Sequence, residues 1–360
     1  MRVLQLIDSL NPGGAETVAV SYANALLSVT DGSYLCTTRA EGLLQEKIDR
    51  QVGYLFLKRQ RTLDFGAITR LIKFCKKHNI HVIHAHATSF FIARVAVLFL
   101  PKCTLVWHDH YGNSELLNQR PTRWLGLFSK RFDAIIAVNQ QLKDWAEARL
   151  KSNRVYFLKN AVPKPESNLE FKTKLNGKAG KRIVHLANFR AQKDHLNVLT
   201  AFSEVVKSHP DASLHLVGMH WNDSYYESVL NTIASLKIEK QVSIHGPVKQ
   251  AYQVLLQANI GVLSSASEGL PMALLEYGMA GLAVVCTAVG QCQDVVKGHG
   301  QCVAPNNSTV LANALNGYLG NQELLKSNAE SYKNHIEQQY SIQSIIPKLL
   351  TIYENSHKAD

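Results

Sequence analysis

The sequence has no stretch long and apolar enough to span a bilayer. Its longest apolar run, residues 89–101, is interrupted by Arg94, whereas a membrane-spanning helix needs about 20 consecutive apolar residues. The first ten residues are too short for a signal peptide and carry Asp8 near their end. They predict a first buried strand instead.

Cysteines in a metal-binding or disulfide pattern are also lacking. The six cysteines stand at positions 36, 75, 103, 286, 292 and 302. Their spacing fits no metal site, and most lie in apolar surroundings typical of strands or helices. This usage predicts reduced thiols in a cytoplasmic protein.

What the chain does have is enough length and apolar content for two domains. It has 360 residues, of which 46% are hydrophobic and 19% charged, as in soluble globular proteins. The net charge of +11 is uneven, because residues 1–160 carry 22 Lys and Arg against 12 Asp and Glu. A basic N-terminal half indicates an anionic partner, such as a phospholipid surface, a polyprenyl diphosphate or a nucleic acid.

Short apolar segments alternate with longer amphipathic ones along most of the chain, which predicts parallel sheets covered by helices on both faces. The first series of predicted strands is 3–7, 34–37, 54–57, 82–84, 104–107, 134–138 and 155–158. The second series is 182–186, 213–217, 242–245, 260–263 and 283–286. The α/β architecture therefore occurs twice, as two doubly wound domains.

A polar, lysine-rich segment divides the two series. We predict an N-terminal domain over residues 1–162, a linker over 163–181 and a C-terminal domain over 182–340, followed by a last helix within 341–360. Doubly wound domains bind ligands at the carboxyl ends of their strands, so a cleft between the two domains is the expected active site.

Residues 264–285 carry the most informative pattern of the chain. Glu268 and Glu276 stand eight positions apart, and Gly269, Leu270 and Pro271 lie between them before an apolar helix. Pro271 suits the first helical position, which places Glu268 on the preceding loop and Glu276 in the second turn. The start of a helix attracts anions, and two carboxylates can hold hydroxyls. The pattern fits a sugar attached to a nucleoside diphosphate.

This stretch resembles the donor-binding motif of retaining glycosyltransferases of family 4, which have two Rossmann-like domains facing a cleft, the GT-B fold. The resemblance implies a donor site formed by Glu268, Gly269, Leu270, Pro271 and Glu276. It also implies that the last helix crosses back to the first domain.

Two further segments match loops of the same family. The first strand leads into Pro12-Gly13-Gly14-Ala15-Glu16, where paired glycines let the backbone approach a phosphate or sugar, and the resemblance implies that Gly13 and Gly14 face the donor. This loop departs from the dinucleotide fingerprint, so nicotinamide binding is not favoured.

Arg190 and Lys193 stand three apart where the second series begins. Two cations at a strand-to-helix junction can stabilise a leaving diphosphate. The segment resembles the Arg/Lys pair that lies opposite the two-Glu motif in the family.

Histidines follow two strands of the first domain. The family has a histidine near the donor sugar after the strand at 104–107, and the chain offers His108 and His110 there. We favour His108, which is predicted to follow the strand directly, and His110 stays the rival. His84 and His86 end the preceding strand and are assigned a structural or acceptor-side role. His86 and His110 are the acceptor-side predictions.

The resemblance implies transfer of a hexosyl group with retention at the anomeric carbon. Arg190 and Lys193 would stabilise the diphosphate, Glu268 would hold the sugar and Glu276 the ribose. The sequence offers no clear carboxylate nucleophile, and the family is thought to react on one face of the sugar. Because no Asp-x-Asp pair occurs in the sequence, we expect no required metal and no cofactor.

The expected partners are a UDP- or GDP-sugar donor, a glycan or polyprenyl-diphosphate-linked acceptor of surface polysaccharide biosynthesis, and an anionic membrane. The membrane prediction depends on two basic clusters in the first domain, which would bind the cytoplasmic protein to the inner face of the cell membrane. They comprise Lys58, Arg59, Arg61, Arg70, Lys73, Lys76 and Lys77, and then Arg120, Arg123, Lys130 and Arg131 beside Trp124, Leu125, Leu127 and Phe128.

Three other functions compete with the transferase prediction. A nucleotide-sugar epimerase shares the architecture and is the nearest enzymatic alternative. A nucleic-acid-binding protein would use the basic half, but no zinc-ligand spacing or RNA-binding aromatic motif supports it, so we expect no nucleic acid. A non-catalytic relative is disfavoured because the acidic and basic site residues are all present.

Overall fold

The computed structural model describes residues 1–112, 114–162, 173–248 and 251–357. The chain divides into two compact units. The first comprises Met1–Pro163 and Tyr340–Asp360, and the second Lys164–Gln339. The predicted linker, residues 163–181, lies outside the described residues as far as 172, and its remainder forms turns and irregular backbone.

The first unit contains a seven-stranded parallel sheet in the order β3-β2-β1-β4-β5-β6-β7. Its strands are β1 (Arg2–Ser9), β2 (Gly32–Ala40), β3 (Gly53–Phe56), β4 (Val82–His86), β5 (Thr104–Asp109), β6 (Ala134–Ala137) and β7 (Val155–Phe157). Its covering helices are α1 (Gly14–Leu26), α2 (Phe65–Lys77), α3 (Phe90–Ala96), α4 (Arg123–Ser129) and α5 (Gln140–Arg149). The central strands are buried on both faces, which explains why they read as continuous apolar runs.

The second unit contains a six-stranded parallel sheet in the order β10-β9-β8-β11-β12-β13. Its strands are β8 (Arg182–Leu186), β9 (Ser213–Val217), β10 (Val242–Ile244), β11 (Ile260–Leu263), β12 (Ala283–Thr287) and β13 (Gln301–Val303). Its helices are α6 (His195–Ser208), α7 (Ser224–Ser235), α8 (Ala251–Leu255), α9 (Met272–Ala280), α10 (Cys292–Val296), α11 (Ser308–Gly320) and α12 (Gln322–Tyr340). Strand order reverses between β8 and β11, as it does between β1 and β4 in the first unit.

The last helix, α13 (Ile342–Ser356), packs within the first unit. Backbone hydrogen bonds join Val162 to Tyr340 and Ile342 at its start, at 2.9 and 3.1 Å. Further along, Tyr353 is fully buried and its hydroxyl accepts a hydrogen bond from Gln5 Nε2 of β1 at 3.2 Å. An apolar face with one buried tyrosine therefore fixes the chain end to the first sheet.

The predicted α/β class and its two parallel sheets are confirmed. The prediction missed only β13 among the strands of the described residues, because Gln301–Val303 is short and half-buried. That the two domains face a common cleft stays a prediction. Among the described residues, no helix combines the length and apolarity needed to cross a bilayer.

Candidate functional site

The reversal of strand order in the second unit places the loops after β8 and β11 side by side, and ligands bind at such reversals in open α/β sheets. The loop after β11 contains Glu268, and α9 follows it at Met272. Pro271, which was predicted to be the first helical residue, occupies the capping position of α9 in extended conformation, one residue before the helix begins at Met272. That detail of the prediction was therefore wrong by one residue, while Glu268 and Glu276 lie on the loop and in the second turn as expected.

Lys193 and Glu268 meet between these two loops. Lys193 Nζ lies 2.6 Å from Glu268 Oε1, and the Ser265 hydroxyl donates to the same oxygen at 2.6 Å. Glu268 is 5% exposed, and a buried carboxylate is costly unless it is paired and hydrogen-bonded in this way. The structure therefore holds one cation and one anion of the predicted site in direct contact.

Backbone contacts fix the two loops to each other. Ala266 N donates to Gln192 O at 2.9 Å, and Gln192 Nε2 donates to Ser267 O at 3.1 Å. The Ser264 hydroxyl donates to the carbonyls of Lys193 and Asp194. The geometry of Lys193 and Glu268 is therefore set by hydrogen bonds to main-chain carbonyls as well as by their own ion pair, which is what a site for an oriented ligand requires.

Tyr277 anchors α9 beneath these loops, and the sequence interpretation gave it no role. It is fully buried, its hydroxyl accepts from Leu186 N at 2.7 Å and donates to Val262 O at 3.0 Å, and its ring lies against Gly261. Burial raises its pKa, and the charges of Glu276 and Glu268 raise it further. Tyr277 therefore ties α9 to the carboxyl ends of β8 and β11.

A tight turn after β12 supports the same loop. Gly290 has a φ of 49°, and a Cβ built there would lie 1.9 Å from the Glu268 carbonyl oxygen. Gln291 N donates to Gly269 O at 3.2 Å. Only glycine fits this approach, so the loop that carries Glu268 and Gly269 is held from a second side. Leu270, like Gly269, is half-buried.

Arg190 is placed differently from Lys193. It precedes a 3-10 turn, Ala191–Lys193, and its guanidinium carbon lies 5.1 Å from the ring centroid of Trp221. Trp221 is 47% exposed. The guanidinium therefore stacks on an exposed aromatic ring at the same edge of the sheet, a position from which it can reach an anion.

In the first unit, Gly13 and Gly14 follow β1 as predicted. Gly13 is the capping residue of α1 with extended backbone, and Gly14 is the first helical residue. Glu16 lies close to Gly13 and receives a hydrogen bond from the Ser9 hydroxyl at 3.5 Å. Partial burial raises the pKa of the Glu16 carboxyl.

Four histidines, three on β4 and β5 and one directly after β5, form a stack in the first unit. His84, His86 and His108 are fully buried and His110 is half-buried. Neighbouring ring centroids lie 4.1 to 5.4 Å apart. Burial lowers the pKa of all four imidazoles, that of His110 to about 3. These rings are therefore neutral at physiological pH.

The predicted end of the strand before His108 was wrong. The strand extends two residues beyond the predicted end, so His108 lies within β5 and His110 follows it. As a result His108 has no exposed surface, whereas His110 does. His86 Nδ1 lies 3.0 Å from His110 Nε2, which joins the two acceptor-side predictions in one contact.

Two arginines of the predicted basic clusters lie inside the fold. Arg120 forms a bidentate ion pair with Asp109 at 2.6 and 2.9 Å. Its guanidinium also stacks on the rings of Tyr111 and Trp145. Arg59 is 5% exposed and donates to backbone carbonyls. The prediction that they belong to a membrane-facing surface was wrong, because internal partners already hold both guanidinium groups.

Comparison with known families agrees with this geometry. The model of the family described as glycosyl transferases group 1 matches residues 166–338, and that of Glycosyltransferase Family 4 matches residues 12–164. The chain belongs to the group 1 and family 4 glycosyltransferases. It is a transferase, and the two matches meet where the second unit begins.

Similar proteins and structures extend this assignment. The N-acetyl-alpha-D-glucosaminyl L-malate synthase of Bacillus anthracis is 23% identical over 81% of this chain and 78% of its own length. The O-antigen biosynthesis glycosyltransferase WbnH of Escherichia coli is 25% identical over 81% and 82%. The crystal structure of Anabaena Alr3699/HepE in complex with UDP and glucose matches with a TM-score of 0.80, at 17% identity, over 98% of this glycosyltransferase and 99% of that chain. The fold is therefore GT-B.

Proposed function

We propose that this glycosyltransferase moves a hexosyl group from a UDP- or GDP-sugar to a glycan or lipid-linked glycan of surface polysaccharide biosynthesis, with retention at the anomeric carbon. The observation that carries the donor assignment is the contact of Lys193 with Glu268 beside the start of α9. It combines a cation for the diphosphate with a carboxylate for sugar hydroxyls. The solved relative in complex with UDP and glucose supports this donor class.

Each residue has a definite task in this proposal. Lys193 turns from Glu268 to the diphosphate, Arg190 adds a second positive charge, and the free N–H groups at the start of α9 bind the same phosphates. Glu268 then accepts hydrogen bonds from the sugar, and Glu276 from the ribose. Gly13 and Gly14 let the backbone of the first unit approach the donor.

The leaving diphosphate accepts the proton of the acceptor hydroxyl as the new glycosidic bond forms on the face that the diphosphate leaves. This step needs charge stabilisation at the diphosphate, which Arg190 and Lys193 supply. We therefore propose that transfer requires no added divalent cation. His110 is partly exposed and is therefore better placed than His108 to contact a substrate. The buried His108 would position the ring of His110.

Acceptor binding at an anionic membrane is the second part of the proposal. On α4, Trp124 is 66% exposed and Leu127 58%, and the cations Lys130 and Arg131 directly follow the helix. Exposed apolar side chains beside cations suit the interface of an anionic bilayer. A chain that works there meets a polyprenyl-linked acceptor without spanning the membrane. The O-antigen transferase among its relatives supports this substrate class.

A panel of UDP-, GDP- and ADP-sugars tests the donor assignment by calorimetry, with and without Mg²⁺. We expect one nucleotide class to bind equally well in both conditions, and NMR of the product to show retained anomeric configuration. Absence of binding by every nucleotide sugar would contradict the proposal. Conversion of the donor sugar without any acceptor would favour an epimerase instead.

A further inference from the structure

The histidine stack of the first unit contains more imidazole nitrogens than its neighbours use. His84 and His86 of β4 and His108 of β5 are 0% exposed. Among the described residues, His84 Nε2 and both nitrogens of His108 have no hydrogen-bond partner, and neither has the buried Tyr22 hydroxyl next to them. Each buried polar atom left without a partner costs about 1–3 kcal/mol. Four in one cluster call for a ligand.

The remaining nitrogens of two rings are held from outside the cluster. Gln5 Nε2 donates to the Tyr353 hydroxyl, so Gln5 Oε1 accepts from His86 Nε2 at 2.8 Å. His86 Nδ1 therefore keeps its lone pair. Tyr353 Oη lies 2.7 Å from His84 Nδ1 and can accept its proton, which leaves a lone pair on His84 Nε2. Metal-binding histidines are oriented in this way by a partner on the outer nitrogen.

We propose that His84, His86 and His108 bind a divalent transition ion of the Zn²⁺ class. One ligand atom from each ring lies within 4.8 Å of the others. Tetrahedral Zn²⁺ with bonds of about 2.0–2.1 Å places its nitrogens about 3.3 Å apart, so side-chain movements of about 1 Å complete the site. Three neutral imidazoles select Zn²⁺, Co²⁺ or Ni²⁺ over Mg²⁺ and Ca²⁺.

His110 completes the site and provides access to it. Its Nε2 lies 3.0 Å from His86 Nδ1, close to the separation of two ligands of one ion, and its ring is half-buried. The ion would strengthen the link from β4 to Tyr353 of α13. It is a resident ion of the first unit, separate from any requirement for Mg²⁺ at the donor.

A second histidine pair in the chain serves as a control. His215 Nδ1 lies 3.0 Å from His245 Nε2, and His215 Nε2 contacts the Ser213 hydroxyl at 3.1 Å. Both nitrogens of the buried His215 are thus satisfied, and among the described residues the only histidine, cysteine or carboxylate group with metal-binding spacing is the one in the first unit. Replacing His215 should leave metal binding unchanged.

The experiment measures Zn²⁺ content and Co²⁺ absorption of the full chain after dialysis. We expect about one equivalent of Zn²⁺ and the visible spectrum of four-coordinate Co²⁺ for the wild type and His215→Gln. His84→Gln should lose both, and Tyr353→Phe, which keeps all ligands, should weaken Co²⁺ binding about tenfold. Circular dichroism monitors folding.

Two results would overturn the proposal. One is a folded wild type that retains neither ion above a tenth of an equivalent, which would mean that water satisfies the stack. The other is equal Co²⁺ spectra and affinities in the wild type, His84→Gln and Tyr353→Phe, which would place the ion elsewhere. If His84→Gln fails to fold, the Tyr353→Phe affinity decides alone.

Discussion

The two units share one architecture but differ in the chemistry at the carboxyl ends of their strands. In the first unit, that edge carries the histidine stack, which is largely buried, and an ion pair between Arg120 and Asp109 that is internally satisfied. In the second unit, the edge carries Lys193, Glu268 and Glu276 on loops that surround the start of α9.

The difference shows that a doubly wound sheet fixes the place of a site and leaves its chemistry to the loops. The surplus positive charge of the chain lies in residues 1–160, yet the cations placed to bind a diphosphate are in the second unit. Net charge therefore favours the first unit for the proposed contact with an anionic surface, and local geometry favours the second unit for the proposed binding of the anionic donor.

Removing the side chain of Lys193 in the second unit should have the largest effect on transfer. For Lys193→Ala we expect transfer to fall by at least about 100- to 1,000-fold, because an oriented charge that stabilises the leaving group is lost. Initial rates under saturating donor measure this. Lys207→Ala is the matched control, since Lys207 is an exposed lysine on α6 paired with Glu204. Equal rates in both variants would remove Lys193 from the site.

Glu276→Ala should lower donor use about 100-fold in kcat/KM, because the ribose loses a hydrogen-bond acceptor and its binding energy. Glu276 lies in the second turn of α9 and is half-buried, so the variant should fold normally. The exposed Glu204→Ala is the control. A kcat/KM within twofold of the wild type would contradict the assignment of Glu276 to the donor.

The turn at Gly290 tests how far the second site depends on backbone geometry. Gly290→Ala should destabilise the protein and weaken donor binding, because its Cβ would displace the Glu268 carbonyl. Gly298→Ala is the control, since Gly298 also has a positive φ, of 82°, but open space around it. The control should lose only about 1–2 kcal/mol of unfolding free energy to backbone strain. Similar donor affinity in both variants would show that the close packing of Gly290 against the Glu268 carbonyl is unimportant for donor binding.

The neutral histidines of the first unit should make its stability depend on pH. Their folded-state pKa values lie below the unfolded value of about 6.5. Their contribution to the free energy of unfolding is therefore complete above about pH 6.5 and is lost as the pH falls. For His110 this loss continues down to its folded-state pKa of about 3. Each such group changes the unfolding free energy by about 1.4 kcal/mol per pH unit within that range. Denaturant unfolding from pH 7 to 4 should be less pH-dependent for His110→Gln than for the exposed control His357→Gln. Identical slopes would contradict the neutral form.

The smallest expected effect concerns the surface of the first unit. Trp124→Ser should reduce binding to anionic phospholipid vesicles about fivefold, since about 1 kcal/mol of apolar burial is lost. Trp221→Ser, an exposed tryptophan of the second unit, should leave vesicle sedimentation unchanged. If the two substitutions act equally, the membrane surface is not α4.

Much of this account follows from local sequence. Apolar runs give the parallel strands, and the Gly-Leu-Pro segment gives the loop and helix around Glu268 and Glu276, because these signals act over a few residues. The burial of His108, the anchoring of α9 by Tyr277 and the internal pairing of Arg120 depend on residues distant in the chain. No local pattern encodes them, and they separate the two histidines that the sequence leaves as rivals.

The most direct test of the donor assignment is calorimetric titration of the nucleotide sugar that binds the wild type into Lys193→Ala and Lys207→Ala, without added metal. Binding should weaken at least tenfold in Lys193→Ala, because an ionic contact to the diphosphate is worth about 1.4 kcal/mol or more, and remain unchanged in Lys207→Ala. Equal affinity in both variants would contradict the proposal that Lys193 holds the donor diphosphate.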